Sequence, residues 1–101
     1  MNKMKTINYN NDLFVRIECN NWYEIENGLI KACLRNGHSV ILNKIYHDLW
    51  LSIGYGNTLK NLVIQNQNLS FKEICDLLQN LYEVELINLI AAENEFDTIF
   101  N

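Results

Sequence analysis

Two histidines, three cysteines and a C-terminal half rich in acid are the residues of this chain able to carry chemistry. His47 falls in a stretch of helical periodicity and could face a pocket, although a surface or hydrogen-bonded structural role is the plainer expectation. His38 follows Asn36-Gly37 in a turn, where solvent satisfies an imidazole. Cys19, Cys33 and Cys75 are odd in number and far apart. No C-x-x-C, H-E-x-x-H or C-x-x-x-C-x-x-C spacing occurs, so structural zinc and iron–sulfur clusters have no evident ligands. Gly54-Tyr55-Gly56 lacks the G-x-G-x-x-G or Walker continuation that a phosphate loop needs and reads as a helix stop. Cys75 lies on the inner face of a periodic helix, which suits packing. No nucleophile stands beside a base, and no acid pair has a recognisable cleft. No catalytic residue, metal or cofactor is therefore assigned, and an enzyme is not expected.

The elements that must position any site fit in one domain, because 101 residues support a single modest core. Hydrophobic residues make up 49% and charged residues 20%, which places the chain among globular rather than disordered sequences. The net charge of −4 is unevenly spread. Residues 1–50 carry a slight positive excess, whereas residues 51–101 hold only Lys60 and Lys72 against seven acids. A phosphate backbone demands clustered Lys and Arg, so nucleic acid is not an expected partner of the second half. Glu83, Glu85, Glu93, Glu95 and Asp97 form either a solvated face or a docking patch for a basic peptide. Met1 to Asn11 is polar, with no apolar signal core, and no apolar run nears the ~20 residues that span a bilayer. A cytoplasmic protein with reduced thiols and no membrane partner is expected.

Residues 1–12 read as a flexible lead and residues 13–101 as the domain. Leu13 to Glu18 has the β-branched and aromatic content of a strand. Trp22 to Ile25, between Asn20-Asn21 and Asn27-Gly28, is a second strand or an irregular cover. Leu29–Leu34 and Ser39–Leu42 flank Asn36-Gly37 and predict a hairpin. Asn43 predicts the cap of a helix from about Lys44 to Ile53, with Ile45, Leu49, Trp50 and Ile53 giving its period. The helical spacing favours a core role for Trp50; Trp22, beside two Asn, is open. Residues 54–57 break that helix, and Leu59, Leu62 and Val63 start a second. Ser70 stands three residues before Glu73, a capping box, with Leu69 and Ile74 at the staple positions. The third helix should turn Phe71, Ile74, Cys75, Leu78, Leu81 and Tyr82 inward. Leu86–Ile90 and Phe96–Phe100 read as a wing hairpin, or as a helical continuation and a tail.

Two helices and a turn across Gly56 to Ile87 are the core of a helix-turn-helix or winged-helix unit, yet the third helix offers Lys72 against Glu73, Asp76, Glu83 and Glu85. A DNA-reading helix carries base and amide there instead. The order of strands, hairpin and three short helices resembles the PqqD-like recognition domains of ribosomal-peptide (RiPP) biosynthesis. Val40-Ile41-Leu42-Asn43 leading to Trp50 is similar to that family's apolar strand ending in Leu-Asn. Gly56-Asn57-Thr58-Leu59 is similar to its G-x-T entry to the second helix, and Phe71 to Leu86 to its third helix.

The resemblance implies an α+β, winged-helix-like fold, with an N-terminal three-stranded antiparallel sheet packed on three helices. It also implies a non-catalytic adaptor that binds the leader of a precursor peptide by strand addition and presents it to a RiPP maturation enzyme. The peptide-binding edge would be Ser39, Val40, Ile41 and Leu42. The groove would draw on Ile74, Leu77, Leu78 and Tyr82, some of which must close the core. Asp76 and Glu83 would favour a leader bearing Lys or Arg. The protein would act as a monomer or homodimer. Two other readings remain open: a winged-helix DNA-binding regulator, and a small structural subunit of a larger complex.

Overall fold

The computed structural model describes residues 7–91. Its first strand, β1 (Phe14–Ile17), buries Val15 fully and exposes Arg16, as a half-buried strand should. The chain then turns at Cys19-Asn20 into β2 (Asn21–Ile25), β3 (Leu29–Cys33) and β4 (Ser39–Leu42). These three pair antiparallel in the order β2-β3-β4. Turn chemistry sets both hairpins. Asn27 and Gly28 take positive φ angles of 65° and 73°, and Gly37 one of 95°, where Asn and Gly are the least strained residues. Trp22, Ala32 and Val40 form one inward row, and Tyr23, Lys31 and Ile41 an outward one. Trp22–Ile25 is thus a strand.

Asn43 caps the next element as expected, its side chain accepting from the Ile45 amide. The helix is not continuous, however. A 3-10 turn at Lys44–Tyr46 precedes α1 (His47–Ile53), which buries Leu49, Trp50 and Ile53. Gly54 stops α1 with a positive φ. β5 (Asn57–Thr58) leads into α2 (Leu59–Gln65), capped by the Thr58 hydroxyl. The α1–α2 turn is held by amides: Asn57 Nδ2 donates to the Ser52 carbonyl at 2.9 Å, and buried Asn66 donates to Ser52 Oγ at 3.0 Å. At Gly56 the Phe14 ring stands where a Cβ would be, with Cε2 2.9 Å away, so only glycine allows β1 this close.

Helix α3 (Phe71–Glu83) begins with the full capping box between Ser70 and Glu73. Its core stripe is Ile74, Leu77, Leu78 and Leu81. Phe71, expected inside, is 48% exposed, and Cys75 and Tyr82 are half-buried on one flank. Phe71 is the first residue of the helix, and the first fully buried position is Ile74. Glu85 adopts a positive φ of 67° that ends the helix, and β6 (Ile87–Ile90) follows.

Among the described residues the fold is α+β with three α-helices, but it contains two three-stranded antiparallel sheets where one was expected. β1 does not join β2-β3-β4. It is the centre of a second sheet, β5-β1-β6, pairing Val15 with Leu89 on one side and with Asn57 on the other. The Cys19-Asn20 turn separates β1 from β2, while the Glu18 amide donates to the Leu86 carbonyl and sets the register with β6. The segment expected at Leu86–Ile90 is therefore a strand, Ile87–Ile90, and not a helical continuation; the other arm of the expected wing hairpin, Phe96–Phe100, lies outside the described residues. The lead from Ile7 onward rests on the core through Ile7 and Tyr9.

Candidate functional site

β4 is an edge strand, and its hydrogen-bonding phase follows from one bond in the turn before it. The Leu34 amide donates to the His38 carbonyl at 2.7 Å, which makes 34 and 38 a hydrogen-bonded pair. Hydrogen-bonded pairs recur every second residue of an antiparallel ladder. Val40 and Leu42 therefore bond to Ala32 and Ile30 of β3, while Ser39 and Ile41 turn their N–H and C=O groups outward. Among the described residues neither makes a backbone hydrogen bond outside the sheet. Two donors and two acceptors thus line the edge, the pattern that recruits an extended chain. Ile41 is 57% exposed beside them, Ser39 is exposed, Val40 is half-buried and Leu42 is in the core.

Helix α3 meets this region through Asn80, whose Nδ2 donates to Tyr46 Oη at 3.1 Å, four residues past the end of β4. Helical spacing aligns Glu73, Leu77, Asn80 and Val84 in one stripe. Leu77, 8% exposed, belongs to the core, and Val84, 46% exposed, is the one exposed apolar side chain of this stripe. Ile74 and Leu78 are fully buried and close the core. Tyr82 lies on another flank, with Cys75 and Gln79. There the Tyr9 hydroxyl donates to Gln79 Oε1 at 2.5 Å. The Tyr9 phenol is pushed up to about 12, first by burial and then by the negative charge that Cys75, Glu83, Tyr82 and Asp76 can bear. Asp76 and Glu83 occupy the exposed crest between the two flanks. Asp76 accepts from Lys72 at 3.0 Å and Glu83 from Gln79 at 3.1 Å.

Of the residues singled out from the sequence, Ser39 and Ile41 lie on the outward edge of β4 and Leu77 on the α3 stripe, whereas Asn80 and Val84 were not among them. The i, i+3, i+7 spacing of 77, 80 and 84 was the available signal. It was masked by the stronger leucine pattern that belongs to the core.

Reactive chemistry has little support in the remaining side chains. Burial pushes the Cys19 and Cys75 thiols up, away from the thiolate form, with Asp76 adding to the effect at Cys75. No cluster of three or more His, Cys, Asp and Glu among the described residues is arranged to hold a metal ion. No helix among them is long and apolar enough to cross a membrane. A cavity of about 330 Å³ does open at the far end of the β2–β3 hairpin, lined by Glu24, Gly28, Lys44, His47, Asn68 and Leu69 among others. His47 is hydrogen-bonded there, as expected of a structural imidazole. His38 is exposed in the β3–β4 turn.

Comparison with known proteins gives no assignment: no family model, curated protein or solved structure matches the chain.

Proposed function

We propose that the chain is a cytoplasmic, non-catalytic adaptor that captures the leader of a ribosomally synthesised precursor peptide and presents it to a modifying enzyme. The observation that carries the reading is the β4 edge, where the outward backbone groups of Ser39 and Ile41 have no partner among the described residues and stand beside an exposed apolar side chain. A peptide added there gains main-chain hydrogen bonds from Ser39 and Ile41, and its alternate side chains meet Leu77, Asn80 and Val84. The acids of the α3 crest, Asp76 and Glu83, favour Lys or Arg in the flanking positions. Holding the leader raises the effective concentration of the attached core peptide at the enzyme.

In this reading the helices follow a winged-helix order, α1, β5, α2, α3 and β6, with β5 and β6 joined through β1. The wing serves as scaffold and α3 as a groove wall rather than a DNA reader. The charge of α3 favours this over the regulator: Lys72 is its one base, and Asp76 already pairs with it.

The test is a titration of the ¹⁵N-labelled chain with the precursor peptide encoded beside its gene. Saturable shifts at Ser39–Leu42 and at Leu77, Asn80 and Val84 are expected. Shifts confined to other surfaces would overturn the reading, as would retention on duplex DNA at moderate salt.

A further inference from the structure

His47 is the first residue of α1, and its ring stands between two carboxylates on different elements. Nδ1 lies 2.9 Å from Asp48 Oδ1, and Nε2 lies 2.9 Å from Glu24 Oε2 on β2. A neutral imidazole has one N–H and one lone pair, so in either tautomer one carboxylate oxygen would face a lone pair. Only the imidazolium donates to both. The two contacts differ in reach. Asp48 is the next residue in the same helix, whereas Glu24 belongs to the three-stranded sheet. The Glu24 bond therefore ties that sheet to α1, and both residues line the cavity at the end of the β2–β3 hairpin. The groups facing the ring are Glu24 from β2 and Asp48 from α1, with Lys44 of the 3-10 turn in the same cavity wall. Lys44 opposes a second positive charge, but the two carboxylates at hydrogen-bond distance outweigh it. The remaining wall, from Asn66, Asn68 and Leu69, is uncharged.

We propose that His47 is a proton-operated clasp: doubly protonated, it joins β2 to α1 beside the cavity, and neutral, it releases Glu24 and loosens the hairpin end of the sheet. The hydrogen bond to Asp48, then that to Glu24, raises the imidazole above its ordinary 6.5. A raised folded-state value means that the clasp's contribution is complete below the unfolded-state value and is lost as pH rises through the folded one. The seating of β2-β3-β4 on the helices then responds to pH above the ordinary imidazole value. The inference concerns the free protein and does not depend on what binds β4.

The experiment is a long-range ¹H–¹⁵N titration of full-length H38Q, which leaves one imidazole to follow. Both ring nitrogens of His47 should carry protons at pH 6, with a midpoint above 6.5. The backbone amides of Glu24 and Gly28 should move with the same midpoint. E24Q should lower the midpoint and abolish the shift of the Gly28 amide. D48N should lower it while the Gly28 amide still follows the ring, because the link to β2 persists. A midpoint at or below 6.5 overturns the proposal. So does an E24Q midpoint unmoved from the parent, or a Gly28 amide indifferent to the ring.

Discussion

Replacing Ile41 by proline should separate the internal role of β4 from its external one. The ladder phase directs the Ile41 amide away from β3, so I41P deletes no bond within the sheet. Proline is tolerated on edge strands when the lost N–H faced outward. What remains is modest φ strain and the loss of a half-exposed side chain, about 1 kcal/mol together. Val40 is the contrasting position. Its amide faces Ala32, which is fully buried, and V40P would leave the Ala32 carbonyl without its donor. An unsatisfied buried carbonyl costs about 1–3 kcal/mol, and with the lost packing of a half-buried valine the total reaches about 3 kcal/mol. For a domain of this size 1 kcal/mol moves Tm by about 4–8 °C, so V40P should melt at least ~10 °C below the parent and I41P within several degrees of it. Thermal and urea denaturation read this directly. Equal destabilisation by the two prolines would refute the ladder phase and, with it, the free edge. In the binding assay I41P removes one donor and sets a ring against the incoming strand. Affinity should fall at least tenfold, about 1.4 kcal/mol. Undiminished binding by I41P would exclude the edge as the peptide site.

S70A removes the hydroxyl side of the capping box and should destabilise the protein by about 1 kcal/mol, with amide exchange at Phe71–Glu73 accelerating ahead of the rest of α3. G56A meets both a φ of 139° and the Phe14 ring, so it should lower stability by more than about 1 kcal/mol. F14L should restore only part of that loss, since the backbone strain persists. Y9F deletes the bond to Gln79 and should cost about 0.5–1.5 kcal/mol in chemical denaturation. In the parent, ultraviolet titration of the phenols should leave one tyrosine neutral to about pH 12, and Y9F should remove that last step. Because the folded-state value lies above the ordinary 10, the Tyr9 contribution to stability is intact below pH 10 and is lost as pH rises toward 12.

What could be read in the sequence was local. Asn43, Thr58 and Ser70 cap their helices through side-chain bonds spanning two or three residues, and Asn27-Gly28 and Asn36-Gly37 mark turns by backbone freedom alone. What escaped was non-local. Nothing in Phe14–Ile17 says that its partners are Asn57–Thr58 and Ile87–Ile90 rather than the neighbouring strands, because β-branched residues suit any ladder. The candidate site shows the same division. The strand Ser39–Leu42 was legible from a hairpin signal and its role as an edge only from the resemblance, whereas the flank of α3 that faces Tyr46 depended on a contact between residues 46 and 80. Tyr9 is a further instance: its segment is polar in composition, yet one phenol fastens it to α3 across 70 residues.

The position of β1 at the centre of β5-β1-β6 has a consequence for how the protein is made. Strand pairings between opposite ends of a chain are the slowest to form, since loop closure precedes any gain from contact. β1 leaves the ribosome early, but its longer partner, Ile87–Ile90, is among the last described residues translated. At about 5–20 residues per second the interval is roughly 4–15 s. Through that time the β2-β3-β4 hairpins can assemble locally, whereas Phe14–Ile17 remains an apolar strand with its longer edge open. Nascent chains halted after α3 should therefore contain a formed β2-β3-β4 sheet and a β1 whose β6 edge is still unpaired. Aggregation during synthesis should start from Phe14–Ile17 rather than from the β4 edge.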